Sequence, residues 1–278
     1  MALSSVRAIP NIMRNKGWNI AAFLLDSWFG RASYTRAAPV AGSPPPANEL
    51  RNAVNFSSVG GLRWIQNQAD GKKTFDKIFD KKLWRTSDDD NGNAQRKLVQ
   101  ILKKEGVLNS RANNTRFGYK NWTAIDYESN RYAVNASTYS TGNNQAGIFF
   151  GGITELVAAL GSFTLKFALN GTLSYEQPWN PNIPIVGHNG KYFVTPDSVD
   201  VYLWDLFDFE GDQPLGFWNE DNNDVRTVSV GGGYVEVSNA TFRAWRTANN
   251  MGGDFWIYTE PVRVQLKDKS RFEITAFV

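Results

Sequence analysis

The sequence predicts an α+β protein, with an N-terminal helical region followed by an antiparallel, β-rich domain built as a half-barrel, barrel or sandwich. Three observations carry that expectation. Apolar residues recur at helical spacing up to about residue 116, short alternating runs replace them from Phe117 onward, and ten Trp among 278 residues favour sheets over a helical bundle. The length allows one large domain or two modest ones, each with a sizeable core.

The first expected element is a helix from Pro10 to about Phe29, because proline suits a first helical turn and Gly30 a stop. Ile20, Phe23, Leu24 and Trp28 share one face, widened by Ala21, Leu25 and Phe29. Residues 1–36 thus form an amphipathic segment suited to the protein's own core, a partner or a membrane surface. Residues 37–50 read as a linker, since the run from Ala37 to Ala47 holds four prolines and stiffens as polyproline.

Residues 51–116 read as a helical region. Phe75, Phe79 and Leu83 stand at i, i+4 and i+8, while Lys72, Lys73, Lys77, Lys81 and Lys82 make a solvated face that also suits anionic headgroups. Asp88 to Asn93 is a polar break. Asn93 is placed to cap a third helix in which Leu98, Ile101 and Leu102 face inward, and Gly106 ends it.

Residues 117–278 form the β-rich domain. Thr154 caps a brief helix from Glu155 to Leu160, closed by Gly161. Phe163 to Asn170 then alternates, and Asn170-Gly171 signals a hairpin turn into Thr172 to Tyr175. Further strands are expected at Lys191 to Thr195, Val199 to Trp204, Val225 to Val230, Tyr234 to Val237, Phe255 to Thr259, Val262 to Lys267 and Phe272 to Val278. Between them, Asn239 to Asn250 carries Arg243 and Arg246 one helical turn apart. Gly231 to Gly233 reads as a turn and Gly252-Gly253-Asp254 as a tight bend.

Composition narrows the chemistry. With no cysteine there is no disulfide, thiolate metal site or cysteine nucleophile, and a single histidine, His188, excludes mechanisms that need two imidazoles. His188 itself reads as a loop residue. Charge is divided unevenly: residues 1–140 carry 21 Lys and Arg against 11 Asp and Glu, a net of +10, whereas residues 141–278 carry 9 against 16, a net of −7. The two halves therefore suit different partners or each other. No compact basic run interleaved with aromatics points to nucleic acid. No stretch approaches a membrane span, and the apolar run Ile20 to Leu25 is too short for a secretory signal.

One stretch concentrates polar groups. Asp200, Tyr202 and Trp204 alternate with Val199, Val201 and Leu203, and the run then breaks into an acidic loop holding Asp205, Asp208 and Asp212. Phe207 and Phe209 flank Asp208 as apolar anchors, a setting that raises carboxyl pKa values and suits acid/base work or cation binding. Carboxylates that hold magnesium, with Arg243 and Arg246 as anion clamps, would suit phosphoester cleavage. Two carboxylates alone would serve a retaining glycosidase, and the same groups equally suit structural ion pairs.

The run Asp200 to Phe209, the segment Gln213 to Trp218, Ala158 to Phe163, Phe242 to Arg246, Gly252 to Phe255 and the opening Met13-Arg14 with Gly17-Trp18 resemble a bacterial family catalogued as domain of unknown function 6402. That likeness spans most of the chain and brings no established activity with it. Asp205-Leu206-Phe207-Asp208 is also similar, more weakly, to the Asp-x-Tyr-Asp motif of colicin M and related bacteriocins, which cleave lipid II at its lipid–pyrophosphate bond with magnesium. Phe207 stands in place of the motif's tyrosine, and Pro214-Leu215 stand where those toxins have His-Arg.

The second resemblance implies an antibacterial toxin, a hydrolase of a lipid-linked peptidoglycan precursor. Asp205 would be its principal catalytic acid, Asp208 the partner, and both would ligate magnesium. Arg243 would join the catalysis and, with Arg246, hold pyrophosphate, while Asp200, Tyr202 and Trp218 would contact substrate. Such a toxin would be made in the bacterial cytoplasm without a signal peptide, carried to a target cell's periplasm by a type VI secretion machine and matched by an immunity protein. Two other expectations stand beside it: a non-enzymatic adaptor or structural protein of a secretion system, and a carbohydrate-binding β domain that uses the surplus Trp and Tyr.

Overall fold

The computed structural model describes residues 5–36, 45–86, 94–109, 112–140, 153–176, 190–228 and 231–274. Its helices are α1 (Ile9–Asn15), α2 (Asn19–Phe29), α3 (Ala47–Arg51), α4 (Gly61–Asn67), α5 (Ala69–Asp80), α6 (Ala94–Lys104), α7 (Ala124–Ser129), α8 (Glu155–Leu160) and α9 (Asn239–Asn249). The strands are β1 (Val54–Asn55), β2 (Thr115–Phe117), β3 (Asn135–Tyr139), β4 (Phe163–Glu176), β5 (Lys191–Phe207) and β6 (Pro214–Asn219). They continue with β7 (Asp224–Arg226), β8 (Val235–Ser238), β9 (Phe255–Tyr258), β10 (Val262–Gln265) and β11 (Phe272–Ile274). The fold class is α+β, with N-terminal helices and an antiparallel-rich sheet curled as a half-barrel, one of the three forms expected.

Two compact units divide the chain. One gathers residues 1–71, 138–164 and 204–258, and the other gathers 72–137, 165–203 and 259–278. Each unit draws on several stretches of the chain.

In the first unit the long helix expected from Pro10 to Phe29 is two helices. Pro10 sits in the first turn of α1, and the chain then breaks at Gly17, whose φ of 78° costs a residue without Cβ little. Helix α2 packs on the protein's own core through Ala21, Leu24, Leu25, Trp28 and Phe29 and leaves Phe23 exposed. Pro46 keeps polyproline geometry, as the linker reading requires, but α3 begins immediately after it, and residues 37–44 lie outside the described part. Helix α8 has the limits its sequence announces: Thr154 Oγ1 accepts from Val157 N, and Gly161 closes it. Strand β6 pairs antiparallel with β7 and β8, so the acidic loop ends at Gln213. Strand β9 pairs with residues 204–207 of β5 on one side and with β1 on the other.

In the second unit, residues 191–203 of β5 pair antiparallel with β4 on one edge, and β10 and β11 take the other edge. Strand β2 lies outside β4. Two expectations are corrected here. Asn170-Gly171 does not turn the chain, because β4 runs through it for 14 residues with a bulge at that point. Asn170 is buried, its Oδ1 accepting from Tyr119 N at 2.6 Å and its Nδ2 donating to Ser198 Oγ at 3.2 Å. A side chain at Gly171 would strike the Thr195 carbonyl, which is why glycine stands there. Likewise the strands expected at 191–195 and 199–204 are one strand of 17 residues, because Pro196 stands at the bulge beside the extra residue Asp197, where a missing N–H costs the ladder least.

Helix α5 ends at Asp80, and a left-handed Lys82, φ 47°, carries Leu83 into the core as a 3-10 turn. Lys72, Lys73, Lys77 and Lys81 are exposed as expected, whereas Lys82 bonds Asp268. Helix α6 buries Leu98, Ile101 and Leu102, and Gly106, φ 70°, follows it. The sequence reading missed α7, which a capping box of Thr123 and Asp126 starts inside the β-rich stretch. Asp88 to Asn93 and His188 lie outside the described residues, as do the last positions of the strands expected at Val225 to Val230 and Phe272 to Val278. Among the described residues, no helix is long and apolar enough to cross a membrane.

Candidate functional site

The acidic loop is pinned by aromatic packing, as its sequence implies. Phe207 stacks on Phe255 with ring centres 5.2 Å apart, and Phe209 lies flat on Phe242 at 4.0 Å and meets Trp28 edge-on at 4.8 Å. Arg243 on α9 ties the loop backbone down, donating Nη1 to the carbonyl of Phe209 at 2.8 Å and to that of Gly211, and Nη2 to Asp212 at 2.9 Å. Asp212 itself is exposed. The loop is thus a fixed wall.

That wall carries Asp208 into a cavity of about 230 Å³ in the first unit. Met13 of α1, Leu25 of α2, Leu160 of α8, Leu215 and Trp218 of β6, and Phe242 of α9 make it largely apolar. Asp208 is half-buried, and burial pushes its carboxyl above the ordinary value, with the carboxylates of Asp254 and Glu210 adding to the effect. Its Oδ1 accepts one weak bond, from Glu210 N at 3.4 Å, and among the described residues no cation pairs with it. An acid with bonding capacity to spare on an apolar wall is a recognition group for a donor or cation.

The other expected site residues are placed differently. Asp205 stays in β5, opposite Ile257 of β9, half-buried and off the cavity wall. Trp218 does line the cavity, and its indole N–H is taken by the Leu215 carbonyl at 2.9 Å. Arg246 is buried, its Nη2 bonded to Asp254 and its guanidinium 5.2 Å over Trp28. Asp254 also accepts from Trp28 Nε1 at 3.1 Å. In the second unit, Asp200 sits opposite Arg263 and takes its Nε at 2.7 Å and Nη2 at 2.9 Å, together with Tyr127 OH at 2.7 Å and Asn170 Nδ2 at 3.2 Å. Tyr202 is buried there against Tyr127 and donates to Glu128 at 2.9 Å. Burial, reinforced by that carboxylate, raises its pKa well above the usual phenol value.

Of the expected constellation, then, Asp208 and Trp218 share a cavity, while Asp200, Arg243 and Arg246 are bonded to partners within the fold. Sequence reading missed those partners. Asp254 was visible only as part of a glycine bend and Arg263 as one more strand residue, because neither the bend that returns Asp254 to Arg246 on α9 nor the strand pairing that sets Arg263 opposite Asp200 leaves a local mark. Among the described residues no three acidic or histidine side chains are grouped to hold a metal ion. The two carboxylates expected to share magnesium do not meet in the cavity, where Asp208 stands with Glu210, Gln213, Ser162 and Asn239 as the polar groups of a largely apolar lining.

A family model described as a family of unknown function, DUF6402, matches residues 5–231 and 221–274. No curated protein and no solved structure matches the chain, so the likeness to colicin M gains no support from these comparisons.

Proposed function

The chain belongs to the family of unknown function DUF6402, and we propose that it is a ligand-binding protein whose cavity beside Asp208 takes a short apolar group ending in a cation or hydrogen-bond donor. The observation that carries this reading is the half-buried Asp208 carboxyl, which forms no ion pair among the described residues, on a largely apolar wall fixed by Phe207, Phe209 and Arg243. Apolar contact supplies affinity and the carboxylate supplies orientation. Octylammonium is a direct probe. Calorimetry should show one saturable site, weaker binding of octanoate, and loss of binding when Ala158→Phe fills the cavity. Equal binding of the two amphiphiles, or undiminished binding to Ala158→Phe, would exclude the reading.

A second reading, hydrolysis of a lipid-linked pyrophosphate by a secreted toxin with Asp205 and Asp208 as its acids, draws support from the raised pKa of Asp208, which suits a general acid. Magnesium, an immunity protein and delivery to a target periplasm belong to that reading alone. Its test is lysis of a susceptible cell on periplasmic expression, abolished by Asp205→Ala. Equal lysis by both forms excludes it.

A further inference from the structure

A second cavity in the first unit, of about 340 Å³, is built from different chemistry. Its size lies within the range of about 300–1,000 Å³ common for small-molecule sites. Arg31, Arg36, Glu49, Asn52, Phe255 and Trp256 are on its wall. Each guanidinium is laid over an aromatic ring, Arg31 4.3 Å above Phe255 and Arg36 4.5 Å above Trp256, and such stacking fixes the plane in which the N–H groups point.

The acids nearby are already bonded. Glu49 Oε2 accepts from Arg36 Nε at 2.6 Å and from Trp256 Nε1 at 2.9 Å, and its Oε1 accepts from Tyr34 OH at 2.8 Å. Asp254, also on this wall, takes Trp28 and Arg246 on Oδ1 and the backbone N–H of Arg36 on Oδ2 at 3.2 Å. The donors are not exhausted. Arg36 has a side chain only 7% exposed, yet its Nη1 has no hydrogen-bond partner among the described residues. Arg31 donates Nη2 to the Asn52 carbonyl at 3.0 Å, and among the described residues no carboxylate pairs with it. Burial accordingly pulls its pKa below the ordinary guanidinium value.

We infer that this cavity binds a small organic anion, with Arg31 and Arg36 converging on a phosphate or carboxylate group of the ligand. Two stacked guanidinium forks match such oxyanions, and Glu49 and Asp254 each already accept from the fold on both oxygens. The site is independent of the cavity beside Asp208, whose recognition group has the opposite charge.

Calorimetric titration of the full chain with pyrophosphate and, separately, with succinate tests this, and the probe that binds distinguishes phosphate from carboxylate recognition. One saturable site is expected for at least one probe, with affinity lowered about tenfold or more by Arg31→Ala. Asn52→Asp, which sets a carboxylate on the same wall, should weaken binding comparably and serves if Arg31→Ala does not fold. Absence of saturable binding by both probes, or affinity unchanged in whichever of these variants folds, would overturn the inference.

Discussion

The two cavities of the first unit treat charge in opposite ways. Among the described residues, Asp208 stands on a largely apolar wall and forms no ion pair, whereas around Arg31 and Arg36 the cations keep N–H groups after the local acids are bonded. Elsewhere in the protein, opposite charges close on one another, the buried Arg246 with Asp254 and the partly exposed Arg263 with the buried Asp200. The difference separates two kinds of ionic group. Those paired off inside the fold hold it together, even though the buried Arg246 Nε has no partner among the described residues, and those on a cavity wall with capacity left over are where a ligand adds bonds. Replacing the first kind should cost stability, and replacing the second should cost binding.

The largest effect is expected at Arg246. Arg246→Ala leaves Asp254 buried without its cation, and such a broken pair costs about 3–5 kcal/mol, readable as a shift of the urea unfolding midpoint. A loss within about 0.5 kcal/mol, the scale of an ordinary surface substitution, would remove the distinction. Asp200→Ala should follow, at about 2–3 kcal/mol, because Tyr127 and Asn170 then lose an acceptor in a buried setting while Arg263, partly exposed, recovers some hydration.

Asp208→Asn should act in the opposite direction. The folded-state pKa of Asp208 lies above its unfolded value, so the fold prefers the protonated acid, and the wild type loses stability as pH rises from the ordinary carboxyl range through the raised value. Asparagine carries no such penalty. Melting temperatures of the two forms should therefore coincide in acid and separate toward neutral pH with the variant higher. A wild type that is the more stable form at neutral pH would contradict the assignment. Arg31→Ala should be the smallest change in stability, within about 1 kcal/mol for a half-buried cation over one ring, although it removes anion binding.

How much of this was legible in the sequence follows the range of the interactions. Thr154, Glu155 and Gly161 fix the limits of α8 through bonds a few residues apart, and they read correctly. Leu98, Ile101 and Leu102 do the same for α6. Asn170-Gly171 misled because a turn and a bulge call for the same residues, and only the approach of Thr195, from a strand 24 positions on, decides between them. Asp208 between Phe207 and Phe209 was recognisable as a pinned acid. Arg31 and Arg36 were not, because Phe255 and Trp256, more than 200 residues away in the chain, orient them. Arg243 and Arg246 looked like ligand clamps on helical spacing, but Phe209, Gly211, Asp212 and Asp254 occupy them, and no local pattern announces an occupied donor.

The central claim, that unspent bonding capacity on a cavity wall marks the ligand sites, is tested most directly by a crossed titration of two variants with two probes. Asp208→Asn should lose octylammonium affinity and keep its affinity for pyrophosphate or succinate, and Arg31→Ala should do the reverse. If each variant weakens both probes alike, or neither, the two cavities are not separate sites of opposite charge preference and the account fails.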